Sequence, residues 1–159
     1  METPAFKTTL GEPYPLGATP SSDGVNFSLF SQHATSVQLL LFGNFSDPIP
    51  QQVINLHPVL NKTFHYWHVF VEGARPGQVY AYRLDGPFDL SQGFRYNKNK
   101  VLIDPYSRGV VYGRNWRRDR ACDGSDNCQT AMKSLVVDSG VYDWESVERP
   151  TLHLSDCVI

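Results

Sequence analysis

The chain has 159 residues, 41% of them hydrophobic and 13% aromatic, with a formal net charge of −2. That length is enough for one domain with a sizeable core, and the composition points to a globular chain and excludes a disordered or membrane class. The balanced charge gives no strong positive field, which excludes a generic nucleic-acid binder or a protein drawn to an acidic membrane surface.

The N-terminus, residues 1–12, reads as a disordered or extended lead-in. Met1 to Leu10 lacks the basic start and apolar run of a secretory signal. No apolar run approaches the ~20 residues of a membrane-spanning helix. Pro13 to Gly24 carries a short strand bounded by turn residues. In Val25 to Ser31, Val25, Phe27 and Leu29 alternate with Asn26 and Ser28, the pattern of a half-buried strand. Ser36 to Gly43 follows, with Val37, Leu39 and Leu41 as its inner face. Gly43 to Pro48 is a loop, and Gln51 to Leu56 a weaker strand.

His65 to Gly73 (HYWHVFVEG) is rich in β-branched and aromatic residues and predicts a strong strand. Arg75-Pro76-Gly77 marks a turn, and Val79 to Gly86 the next strand, so a hairpin across Glu72 to Gln78 is expected. Pro87 to Lys100 is a long polar loop, of a length that is usually functional or docked. Val101 to Gly113 is a short apolar segment interrupted by Asp104-Pro105. Arg114 to Thr130 reads as a charged, solvated loop, Ser134 to Asp138 as a short strand, and Tyr142 to Ile159 as a polar connector. No stretch holds a helical apolar stripe. The expected fold is therefore all-β, with a sandwich at 13–113 and a loop-rich connector at 114–159.

Few residues invite chemistry. Asp85, Asp89, Asp104 and Asp138 sit at turns or strand ends, where aspartate bonds the local backbone. Cys122 and Cys128 have a C-x₅-C spacing that matches no common zinc pattern, and Asp123 to Asn127 lacks the full calcium loop, so no metal or cofactor is expected. Three cysteines without a dense framework suit reduced thiols in the cytoplasm or a plastid. Trp116 lies among Arg114, Arg117, Arg118 and Arg120, but acidic residues follow closely and a solvated loop is the favoured reading. Trp67 alternates with Val69 and Val71. Core packing is its favoured reading, and a sugar-stacking platform the alternative.

A series of motifs runs along most of the chain: Pro15-Leu16-Gly17-Ala18, Asp23 to Ser31, Trp67-His68-Val69, Pro76 to Arg83, Asp85-Gly86-Pro87, Gly93 to Asn97, Leu102 to Tyr106, Ser134 to Asp138 and Asp143-Trp144. In this order and spacing the series resembles the N-terminal region of isoamylase-type debranching enzymes, a family-48 carbohydrate-binding module placed before a family-13 glycoside hydrolase barrel. The resemblance implies an immunoglobulin-like, early-set β-sandwich with long loops and an irregular C-terminal extension. It implies a parent that hydrolyses α-1,6 branch linkages of glycogen or starch. The acid/base carboxyl pair of that chemistry would come from the barrel, beyond Ile159, so no catalytic residue is expected here. The implied partners are that barrel and branched α-glucan.

By the same resemblance, Phe88 takes the place of an aromatic platform in glycan-binding relatives, with packing against the barrel as its favoured reading and sugar stacking as the alternative, while Asp104, Pro105, Tyr106 and Trp144 fall where the family contacts its barrel. Two positions depart from the glycan-binding pattern. Phe45 stands where those relatives carry a tryptophan, and the strand from Val79 to Asp85 has no lysine. Two roles stay open: an accessory domain that stabilises the barrel, and a free-standing α-glucan-binding or regulatory module.

Overall fold

A computed structural model of the chain describes residues 5–143 and 145–148. Its strands are β1 (Thr8–Thr9), β2 (Gly17–Pro20), β3 (Gly24–Phe30), β4 (Ser36–Phe42), β5 (Gln52–Leu56), β6 (Lys62–Thr63), β7 (Tyr66–Glu72), β8 (Val79–Asp85), β9 (Phe88–Asp89), β10 (Phe94–Arg95), β11 (Gly109–Val111) and β12 (Lys133–Leu135). One antiparallel sheet runs in the order β1-β7-β3-β2, with β6 also on β7. A second runs β11-β12-β8-β4-β5, and β9 and β10 form a small sheet of their own. The two larger sheets stack as an immunoglobulin-like β-sandwich.

Alternation explains the stacking. Val25, Phe27 and Leu29 of β3, with Trp67, Val69 and Val71 of β7, face Val37, Leu39 and Leu41 of β4 and Tyr80 and Tyr82 of β8 in one buried cluster. Phe27 and Tyr80 meet edge to face across the layers at 4.9 Å, a favoured aromatic geometry. Each fully buried aliphatic side chain contributes about 1.5–3 kcal/mol relative to an exposed one.

The outer face of the second sheet is also covered. Leu40 and Phe42 point away from the main core, yet they are buried with Val79, Ala81, Val101 and Cys128. The unbroken run Leu39-Leu40-Leu41-Phe42 is the sequence trace of a strand buried on both sides. The cover comes from the segment expected as a solvated loop. Asn127 uses its side chain as a backbone partner for Val101, accepting from the Val101 amide at 2.7 Å. Beyond it the chain returns as β12, which lies between β8 and β11, so the second sheet draws a strand from beyond residue 113. At the N-terminus, β1 pairs with the edge of β7, and Gln52 clamps the Phe6 backbone through both its amide groups.

The expected hairpin between Tyr66–Glu72 and Val79–Asp85 does not form. β7 bonds to β3, β1 and β6, whereas β8 bonds to β4 and β12. The turn between them is an arch that crosses from one layer to the other. The Gly73 amide donates to Asp23 O at 2.7 Å in the first layer, and the Gly77 amide to Val136 O at 2.8 Å in the second. Gly73 and Gly77 have φ of 76° and 93°, conformations open to glycine, and buried Ala74 fills the corner. Alternation sets which face of each strand is buried. It does not set which strand bonds each edge.

Candidate functional site

The segment after β8 forms a short arm at one end of the sandwich. Gly86 allows its close approach: a Cβ there would lie 2.8 Å from Tyr96 Cγ and 3.0 Å from His33 O. Phe88 then pairs with Arg95, and Asp89 with Phe94. Asp89 caps the single turn Leu90–Gln92 by accepting from the Ser91 amide at 2.9 Å. The arm is tied to the body where Tyr96 Oη meets Ser31 Oγ at 3.0 Å and the Phe94 ring meets His33 at 4.7 Å. These ties leave Phe88 67% exposed on an anchored arm.

Trp67 has no such freedom. Its side chain is 1% exposed, its indole N–H donates to Ser31 O at 3.2 Å, and the Lys62 ammonium stands 4.6 Å from the ring centre. Trp67 is a core residue and cannot act as a sugar platform, because β3 and the second layer enclose it.

Asp104, Pro105 and Tyr106 divide by exposure. Asp104 is 2% exposed and works inside its own sandwich, which corrects its reading as an outward contact. Its carboxylate accepts from Tyr80 Oη and from the Tyr106 amide, both at 2.8 Å, and its own amide donates to Ser134 Oγ at 2.9 Å. Burial raises the Asp104 pKa above the usual carboxylate range, against the lowering pull of the Tyr106 amide and the Tyr80 hydroxyl. Tyr80 is likewise pushed up, by burial first and then by the Asp104 charge. Pro105 restricts the Asp104 backbone towards extended conformations, and the Tyr80 hydroxyl and Tyr106 amide hold the carboxylate inside the sandwich. Pro105 and Tyr106 themselves are exposed, beside exposed Leu102 and Ile103. Trp144 lies outside the described residues.

The other aspartates do local work. Asp85 accepts from the Gly86 amide at 3.0 Å and Asp138 from the Gly140 amide at 2.9 Å, as turn chemistry predicts.

Sequence reasoning missed Lys100. Its ammonium, buried with the residue, donates to Arg120 O at 2.8 Å, Asp123 Oδ1 at 2.8 Å and Ser125 O. The Lys100 hydrogen bond is the first cause of the lowered Asp123 pKa. The loop from Asp123 to Asn127, read as an incomplete calcium loop, thus closes on a cation that is part of the chain. The only sequence signal was that acidic loop, and nothing in Asn97-Lys98-Asn99-Lys100 singles out which lysine would fill it. Arg83 reinforces the closure by an ion pair with Asp126. Among the described residues no group of three or more His, Cys, Asp or Glu is placed to hold a metal, and no helix is long and apolar enough to cross a membrane.

Comparison with known proteins agrees with this architecture. Residues 15–107 match the family model described as carbohydrate-binding module 48, isoamylase N-terminal domain. The chain is similar to the glycogen debranching enzyme of Serratia proteamaculans, with 39% identity over 146 residues that cover 86% of this chain and 20% of that protein. It is 37% identical over 158 residues to the glycogen debranching enzyme of Yersinia enterocolitica, covering 95% of this chain and 22% of that one. The chain thus spans about a fifth of the length of these curated relatives. Among solved structures, the multi-modular glycogen-degrading pneumococcal virulence factor SpuA aligns with a TM-score of 0.59 at 19% identity, over 91% of this chain and 14% of that one. Pullulanase from Paenibacillus barengoltzii aligns with a TM-score of 0.55 at 20% identity, over 87% of this chain and 17% of that one. At such identities these structures speak for the fold alone. With the family match covering more than half its length, the chain belongs to the carbohydrate-binding module 48 family, the isoamylase N-terminal domain.

Proposed function

We propose that this chain is the N-terminal, non-catalytic module of an isoamylase-type glycogen debranching enzyme whose parent hydrolyses α-1,6-glucosidic branch linkages. The carrying observation is the 37–39% identity to glycogen debranching enzymes across nearly the whole chain, confined to about a fifth of their length. The module's first role is to brace the catalytic barrel of the same polypeptide. The exposed strip of Leu102, Ile103, Pro105 and Tyr106 supports that role, with buried Asp104 holding the strip in shape from beneath. Its second role is to contact branched α-glucan, and the exposed Phe88 ring on its anchored arm supports this. The proposed compartment is the cytoplasm, in keeping with the free thiols of Cys122 and Cys128.

The test is a debranching assay on glycogen with the full-length polypeptide, alongside titration of the 159-residue chain with maltoheptaose. The full-length protein releases linear chains and the module alone releases none. The module binds maltoheptaose, and Phe88→Ala abolishes that binding at unchanged stability. Hydrolysis by the module alone, or a full-length protein without α-1,6 activity, overturns the proposal.

A further inference from the structure

The two-residue turn between β6 and β7 breaks a local rule. Thr63 pairs with Tyr66 across it, so Phe64 and His65 are the two turn residues. Phe64 has φ of 57°, a left-handed conformation that hairpin turns normally fill with Gly, Asn or Asp, and that is an outlier for a bulky side chain. The ring gains no burial in return, since it is 77% exposed. A strained backbone carrying an exposed aromatic ring is the kind of local conflict found at functional positions.

The neighbourhood of Phe64 gives that conflict a direction. The Phe64 ring lies 3.9 Å from His65, His65 lies 6.1 Å from Phe30, and Phe30 lies 5.4 Å from Tyr66. Phe30 is itself partly exposed. The loop from Ser31 to Thr35 joins this row to the Phe88 arm. The Ser31 amide donates to His65 O at 2.9 Å, the Thr35 amide to Asp85 O at 2.8 Å, and Ser31 Oγ meets Tyr96 Oη. Four extended residues reach at most about 14 Å, so the Ser31 and Thr35 amides that hold the turn and the start of the arm lie within that span, at the same end of the sandwich. The row alternates rings with imidazole and hydroxyl groups. That alternation suits a ligand with apolar faces and polar edges, namely a chain of hexopyranose units.

We infer that Phe64 is a second sugar-stacking platform, which with Phe88 makes this end of the sandwich a binding face for a linear α-1,4-glucan segment several residues long. The inference rests on the α-glucan contact proposed above. Phe64→Gly tests it, because glycine suits the left-handed turn and removes only the ring. Calorimetric titration with maltoheptaose compares the wild type, Phe64→Gly and Phe88→Ala, with thermal unfolding of each. Phe64→Gly is expected to weaken maltoheptaose binding by roughly 2- to 10-fold, the share of one ring contact, with a thermal midpoint equal to or above that of the wild type. Wild-type affinity in Phe64→Gly, with binding still lost in Phe88→Ala, overturns this inference and leaves the Phe88 contact standing. A lower thermal midpoint in Phe64→Gly assigns the ring to packing and also overturns it. Absence of wild-type binding removes both.

Discussion

Replacing Trp67 with alanine tests its core assignment, because core packing and sugar stacking predict different losses. The indole is enclosed between the layers and donates one hydrogen bond to Ser31 O at 3.2 Å. An aromatic side chain buries about 150–250 Å², which at ~25 cal/mol per Å² sets an upper limit of about 4–6 kcal/mol. Trp→Ala replacements in cores cost about 3–5 kcal/mol. A domain of this size loses about 2–4 °C of Tm per kcal/mol, so Trp67→Ala lowers Tm by about 6–20 °C. Trp67→Phe keeps most of the packing but leaves the Ser31 carbonyl without its donor, at a cost of about 1–3 kcal/mol. Thermal and urea unfolding followed by circular dichroism measure both variants. A Tm for Trp67→Ala within about 2 °C of the wild type, or a loss of maltoheptaose binding at unchanged Tm, refutes the core assignment.

Two further predictions concern buried charge. The raised pKa of Asp104 means that the folded state holds this proton more tightly than the unfolded chain. The stability contribution of this group is therefore fullest below the unfolded value of about 3.9 and declines as pH rises through the raised folded value. Asp104→Asn removes that dependence, so the difference in urea midpoint between variant and wild type changes with pH above about 4; parallel curves from there to neutrality refute it. Lys100→Met leaves the Arg120 and Ser125 carbonyls and the Asp123 carboxylate without their shared ammonium. Tryptic cleavage at Arg117, Arg118 and Arg120 then accelerates by roughly tenfold or more, as loss of one charged hydrogen bond implies. An unchanged cleavage rate shows that the loop does not depend on Lys100.

The strands and their buried faces were legible in the sequence because a period of two needs no tertiary information. Val25, Phe27 and Leu29, and Val37, Leu39 and Leu41, are buried as their alternation requires, and the turn chemistry of Asp85 and Asp138 follows from residues close in sequence. The motif series from Pro15 to Trp144 pointed to the family, and the match over 15–107 covers its part up to Tyr106. Partnership between distant segments was decided only by the tertiary structure. The arch at Gly73 and Gly77 depends on carbonyls of Asp23 and Val136, and the ammonium of Lys100 reaches oxygens 20–25 residues away. Asp104 and Tyr106 stand two residues apart in one motif, and Tyr80 and Ser134 decide that the first turns inward while the second stays out. The outward turn of Phe64 was equally hidden, since β propensity favours phenylalanine in a strand, and only the pairing of Thr63 with Tyr66 puts it at a positive φ. Periodicity is a local property of the chain, whereas edge bonding and the satisfaction of buried polar groups depend on which segments meet in three dimensions.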